Sequence, residues 1–215
     1  MLAKPRLLDL FCGAGGAAMG YHRAGFEVVG VDIKLQPHYP FEFRQADAMT
    51  YSLEGFDAIH ASPPCQAHTA LKTAWNAKQH PDLLTPTLER LRAVTTPWVV
   101  ENVPGAPMHR HLVLCGTMFG LGVGQAEMRR HRWFETNWPV PVLRLPCAHR
   151  QRPITIGIYG QHRRDRRRNV QTFFSVEDGR QAMGIDWMTG DELSQAVPPA
   201  YTEYIGCWLL KALAA

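Results

Sequence analysis

Cys65 stands directly after Ser62-Pro63-Pro64, Glu101 opens Glu101-Asn102-Val103, and well before both runs Asp9-Leu10-Phe11-Cys12-Gly13-Ala14-Gly15-Gly16. In that order the chain offers a turn able to cradle a nucleotide, a thiol able to attack carbon, and a carboxyl able to exchange a proton. Two prolines hold Cys65 on a rigid stretch at the end of an apolar run, a place from which a side chain is presented at a sheet edge. Glu101 closes the run Trp98-Val99-Val100, so burial should raise its pKa and keep a proton available near neutrality. Further on, Arg129-Arg130-His131-Arg132 brings positive charge that would favour a Cys65 thiolate.

Positioning these groups requires a sheet whose strands end together. Apolar runs at Arg6 to Phe11, Glu27 to Asp32, Phe56 to Ala61 and Trp98 to Glu101 read as strands. Segments of helical composition at Ala17 to Ala24 and Thr87 to Val94 fall between them, and this alternation predicts a parallel α/β sheet with helices on both faces. Later, Ile154 to Ile158 reads as a strand, while Ser175 to Met183 and Ala200 to Leu213 read as helices. Gly13, Gly15 and Gly16 let backbone approach a ligand at the first strand's end, and the next helix begins with unpaired amides. Asp32, ending the second strand, is placed to accept ribose hydroxyls. The glycine pattern alone admits NAD or FAD as well, and its local alternative is a plain strand-to-helix turn.

The 215 residues suit one sizeable core plus a small appendage, with 46% hydrophobic and 20% charged residues. No run is apolar and long enough to span a bilayer, and the N-terminus lacks a secretory pattern, so a cytosolic setting with free thiols is expected. Five cysteines without a CxxC pair argue against a disulfide framework. Cys147 and His149 amount to half a zinc site with no second pair spaced to complete it, so no metal is expected. The net charge of +4 is concentrated: residues 129–168 hold 11 basic against 2 acidic side chains, while 1–128 hold 10 against 11 and 169–215 hold 2 against 6. Such a block points to a polyanion, the alternative being a solvated face.

Taken together, Asp9-Leu10-Phe11-x-Gly-x-Gly-Gly, Pro64-Cys65-Gln66, Glu101-Asn102-Val103 and Arg130-x-Arg132 resemble the C5-cytosine DNA methyltransferase family from about Leu7 to Leu210. The resemblance implies a Rossmann-like sheet binding S-adenosylmethionine. Asp9, Phe11 (stacked on adenine), Gly13, Gly15, Gly16, Asp32, Asp47 and Pro64 would line the donor pocket. So would Gln195 and Val197, from a closing element in which Ser194-Gln195 replaces Gly-Asn. It further implies that Cys65 adds to C6 of a flipped cytosine, Glu101 protonates N3, Arg130 contacts the cytosine O2, Arg132 holds Glu101, and Asn102 orients its loop. Met128 departs from the family's Gln at the start of the arginine element.

The family's large recognition domain shrinks here to about Trp133 to Gln171. Expected boundaries are therefore a core at 1–132, a basic recognition lobe at 133–171 and returning helices at 172–215. Nucleic-acid contacts are expected from Gln66, Arg129, Arg150, Arg152, Arg163, Arg164, Arg166, Arg167 and Arg168, with Trp138 and Tyr159 among them. DNA, duplex or single-stranded, is the expected partner, with RNA possible because one branch of the family methylates tRNA, and a partner subunit could supply specificity. A non-catalytic DNA-binding subunit and a nicotinamide or flavin oxidoreductase are the competing readings.

Overall fold

The computed structural model describes residues 3–65, 81–109, 112–141, 147–149, 154–158 and 174–214. The first half alternates as its sequence predicts: β1 (Arg6–Leu10), α1 (Gly16–Ala24), β2 (Glu27–Asp32), β3 (Glu42–Gln45), β4 (Ala58–Ala61), α2 (Leu84–Arg92) and β5 (Trp98–Asn102). These five strands pair in parallel. β3 is missing from the sequence reading because it is a four-residue edge strand whose side chains are mostly exposed, so it carries no apolar run.

Beyond β5 the sheet changes direction. β6 (Leu112–Leu114) and β9 (Arg132–Thr136) join antiparallel and complete a seven-stranded sheet in the order β3-β2-β1-β4-β5-β9-β6. β9 crosses the boundary expected between residues 132 and 133. Its Phe134, Glu135 and Thr136 are buried in the main sheet, so the core reaches past the arginine element. Its Arg-Trp-Phe-Glu-Thr sequence is short, lacks period-two alternation and runs into prolines, which hid it.

Both faces of the sheet are covered. Leu7, Val99, Leu112, Leu114 and Phe134 pack on one side with Tyr21 of α1 and with Tyr201, Ile205 and Leu209 of α5 (Pro199–Leu213). Leu8, Leu10, Ile59, Trp98 and Val100 pack on the other against Leu84, Leu88 and Leu91 of α2. The odd-even split along β1 is the period-two signature of a strand buried on both faces. α1 and α5 approach closely because Gly20 and Gly206 lack side chains; a Cβ on Gly20 would stand 2.2 Å from the Pro199 carbonyl oxygen.

A smaller unit is built on β7 (Gly122–Val123), β8 (Ala126–Glu127) and β10 (Ile154–Thr155), with α3 (Val176–Met183) and α4 (Gly190–Gln195). Its apolar centre joins Ala126, Met128, Ile156, Ile158, Ala182, Met183, Met188 and Leu193. The departure from Gln at Met128 thus has a packing consequence: the side chain is a core member of this lobe. Both α3 and α4 start with reciprocal capping boxes, Ser175 with Asp178 and Thr189 with Glu192, a sequence signature of helix starts. Only Ile154 and Thr155 of the strand expected at 154–158 pair as strand. Among the described residues no helix is long and apolar enough to cross a membrane.

Candidate active site

Parallel strands deliver their carboxyl ends to one edge, and antiparallel β9 delivers its amino end to the same edge. Glu101 lies opposite Phe134, so Arg132, two residues earlier on β9, shares its face as a diagonal neighbour. Arg132 Nε lies 2.8 Å from Glu101 Oε1, and both side chains are about nine-tenths buried. The expected carboxylate clamp is therefore present. Burial raises the pKa of Glu101, as its apolar strand predicts, with Arg132, a hydrogen bond from Ser62 and Arg130 pulling the other way.

Cys65 is half-buried on the loop after β4. Asn102 Nδ2 donates to the Pro63 carbonyl at 3.0 Å, tying that loop to the end of β5, as the resemblance implies for Asn102. Burial and the nearby Glu101 charge raise the Cys65 pKa. Arg132 and Arg130 do pull it down, as expected, but they are outweighed.

A buried relay that sequence reasoning missed backs Glu101. Tyr21 Oη lies 3.0 Å from His60 Nδ1, His60 Nε2 lies 2.8 Å from Ser62 Oγ, and Ser62 hydrogen-bonds Glu101. Burial pushes the His60 pKa down to about 3, so the ring is neutral and must donate at one nitrogen while accepting at the other. With Tyr21 donating to Nδ1 and Nε2 donating to Ser62, all three donors point toward the carboxylate. The only sequence signal was a histidine inside an apolar strand.

The glycine turn is built as a cradle. Phe11 holds φ 58°, a left-handed conformation uncommon for a large side chain, and Gly13 and Gly15 hold φ 49° and 84°. Among the described residues no side chain caps α1, leaving its first amides open to a ligand, and a Cβ on Gly13 would meet none of their atoms within 4 Å. Asp32 accepts from the Gly13 amide at 3.1 Å and the Lys34 amide at 2.9 Å, which fixes it beside the turn. Asp47 is exposed and accepts from the Met49 amide at 2.9 Å. Pro64 is exposed beside Cys65, and Gln195 is exposed at the end of α4. Val197 is buried with its carbonyl against Gly16, where a Cβ would come within 2.5 Å of that oxygen. Asp9 lies on β1, just before the turn. It is fully buried on the α1 side of the sheet, its oxygens make no hydrogen bond among the described residues, and burial with the Asp32 charge raises its pKa well above the ordinary range.

Arg130 has partners other than the expected base. Its Nη1 donates to the Ile158 carbonyl at 2.9 Å and its Nη2 to the Ser194 carbonyl at 2.6 Å, while its own carbonyl accepts from Tyr201 Oη at 2.5 Å. It pins the lobe, α4 and α5 together. Arg129 is ion-paired with Glu127, so its charge is partly committed within the lobe. Gln66, Arg150, Arg152, Arg163, Arg164, Arg166, Arg167 and Arg168 lie outside the described residues. The premise that nothing completes the Cys147 and His149 pair is also corrected: Cys115 and His131 stand beside them, brought together by strand pairing instead of by sequence spacing.

Residues 5–118 match the family model described as C-5 cytosine-specific DNA methylase, more than half of the chain. The chain belongs to that family. Its fold is the S-adenosylmethionine-dependent methyltransferase fold and its cofactor is S-adenosylmethionine. Among solved structures, it is similar to a prophage-encoded E. coli protein described as a DNA modification methyltransferase. That match has 14% identity and TM-score 0.64, covering 99% of this chain and 100% of that one. Dnmt2 methyltransferase of S. pombe matches at 13% identity and TM-score 0.61, again over 99% and 100% of the two chains. At these identities the likeness concerns the fold. No curated protein matches the sequence. The family membership makes the chain a cytosine-5 methyltransferase.

Proposed function

We propose that this C-5 cytosine-specific methylase acts on DNA, using Cys65 as covalent nucleophile and Glu101 as the acid at N3. The observation that carries this reading is the convergence, at one sheet edge, of Cys65 and an Arg132-clamped Glu101 of raised pKa, next to the glycine turn.

Cytosine C5 is too weak a nucleophile to accept a methyl group unaided. Cys65, once deprotonated, bonds to C6, and the electrons of the C5=C6 double bond move through the ring as N3 takes the proton of Glu101. C5 is then enamine-like. S-adenosylmethionine, when bound, supplies an electrophilic methyl group. After transfer, the C5 proton leaves to a base, the S–C6 bond breaks to restore C5=C6 and the thiolate, and N3 returns its proton to Glu101. The two pKa shifts suit this coupling, because protonating Glu101 removes the negative charge that opposes thiolate formation at Cys65. Arg132 and the Tyr21-His60-Ser62 relay hold the carboxyl in place through both protonation states.

The donor would sit on the turn of Phe11, Gly13, Gly15 and Gly16, with Asp32 at the ribose and Asp47, Pro64, Gln195 and Val197 around it. Asp9 would act from beneath, as a buried carboxyl of raised pKa under the turn. Arg130 would serve chiefly by fixing the lobe against the catalytic edge. The arginines of 129–168 would bind phosphates, and with so short a lobe, single-stranded or distorted DNA would be the easier substrate, since base flipping in duplex costs roughly a few kcal/mol.

The test is incubation with S-adenosylmethionine and DNA containing 5-fluorocytosine, which blocks proton loss at C5. A covalent protein–DNA complex should accumulate with the native chain and be absent with Cys65→Ser. Turnover of ordinary cytosine DNA without any trapped species would overturn the covalent route, and trapping on fluorinated RNA but not DNA would overturn the substrate.

A further inference from the structure

We propose that Cys115, His131, Cys147 and His149 form a structural zinc site that fastens the start of the recognition lobe to the catalytic sheet. Each residue offers one ligand atom, and the four atoms lie within 4.8 Å of one another. His131 Nε2 is 3.1 Å from Cys147 Sγ, and His149 Nε2 is 3.0 Å from Cys147 Sγ and 3.4 Å from Cys115 Sγ. A tetrahedron with zinc–nitrogen bonds of about 2.0 Å and zinc–sulfur bonds of about 2.3 Å has edges of roughly 3.3 to 3.8 Å. The three nitrogen–sulfur distances are within about 0.5 Å of those edges, and pairs that lie as far apart as the 4.8 Å bound would close by about 1 Å to seat an ion.

Strand register explains how residues so distant in sequence meet. β6 and β9 pair Leu112 with Phe134, Val113 with Trp133 and Leu114 with Arg132. Continuing by one step sets Cys115 opposite His131, just past the ladder's end. Cys147 and His149, separated by one residue, then approach from the other side, with the imidazoles of His131 and His149 at 5.2 Å and 81°. Hydrogen bonding alone accounts poorly for this packing, because His149 Nε2 lies against both sulfurs and two imidazole nitrogens face the same thiol. One central cation satisfies all four donors.

Two thiolates and two imidazoles select zinc over magnesium or calcium, which take oxygen ligands. Four protein ligands leave no open position, the pattern of a structural and not a catalytic site. Thr117 Oγ1, 3.3 Å from Cys115 Sγ and 3.9 Å from Cys147 Sγ, is placed to donate to a bound thiolate. Cys147 and His149 are exposed and Cys115 is buried, so an ion enters from the surface and is held against the sheet. Because His131 sits between Arg130 and Arg132, the site would stiffen the backbone that carries the Glu101 clamp.

The test reads metal directly, apart from any methyl transfer. The full chain, purified without chelator, should carry about one zinc per molecule by elemental mass spectrometry. Cys115→Ser and His149→Ala should lose it, and Cys207→Ser, an exposed cysteine on α5, should keep it. After zinc removal, cobalt(II) titration of the unaltered chain should give the intense visible bands and thiolate charge-transfer absorption of a tetrahedral sulfur-ligated site, saturating near one equivalent. This holds the proposal testable even if Cys115→Ser fails to fold. Zinc well below one-tenth of an equivalent with only the weak absorption of octahedral cobalt would overturn it. So would a Cys115–Cys147 disulfide in freshly purified protein.

Discussion

Glu101 is the side chain whose environment matters most, because its carboxyl is buried, clamped by Arg132 and backed by Ser62. Glu101→Gln keeps the shape and loses the transferable proton. Its methylation rate should fall by about 10²- to 10⁴-fold, with DNA affinity in a filter-binding assay changed far less. His60 gives a second handle through pH. Its folded-state pKa is lowered to about 3 while the unfolded chain titrates near 6.5, so below pH 6.5 the unfolded state binds the extra proton. The stability contributed by keeping His60 neutral is full above pH 6.5 and is lost as pH falls from there toward 3. Asp9 and Glu101, with raised values, act in the opposite sense, losing stability as pH rises from the unfolded carboxylate range through their folded values. His60→Gln, compared with the native chain by urea unfolding between pH 7 and pH 4, should remove the first slope and leave the second. An unchanged slope would mean the ring is not the group responsible.

Among the secondary-structure elements, contacts with residues on either side of α4 and on α5 tie the glycine turn to the C-terminal helices. Gly16 faces the Val197 carbonyl, Trp187 Nε1 donates to the Ala14 carbonyl at 2.8 Å, and Thr202 Oγ1 donates to the Ala17 carbonyl at 2.8 Å. The atoms nearest Gly16 are the Val197 carbonyl and amide and the Ala196 Cβ, which cannot swing aside as the far end of a flexible side chain could. Gly16→Val should cost about 1 to 3 kcal/mol in thermal or urea unfolding. It should also weaken S-adenosylmethionine binding by calorimetry, even under conditions where the variant is fully folded. Wild-type affinity would show that the turn tolerates displacement and is not held to shape by α4 and α5.

For the molecule entire, charge is unevenly divided along the chain. Residues outside 129–168 are balanced or acidic, and the positive excess sits in the segment that contains the lobe. DNA affinity should therefore drop steeply with salt, log K falling by about 0.9 per log unit for each phosphate contacted on duplex DNA. Replacing Arg166, Arg167 and Arg168 together with Ala should reduce the magnitude of that slope by about 3, as fluorescence anisotropy at several salt concentrations would show. An unaltered slope would remove these arginines from the phosphate contacts.

What the sequence determined is what short-range order can carry. The β1-turn-α1-β2 unit, Cys65 behind two prolines and the desolvated Glu101 each depend on a few consecutive residues, and each is found where its local pattern predicts. Tertiary structure decided the partnerships. The Arg132 clamp, the carbonyls that take up Arg130, the Tyr21-His60-Ser62 relay and the meeting of Cys115 with His131 all depend on which strands lie side by side and in what register. Antiparallel β9 is the clearest case. Its pairing energy comes from backbone groups common to every residue, so periodicity and composition do not announce that Arg132 will face Glu101; only the family resemblance implied it, and the assembled sheet brings the two to 2.8 Å.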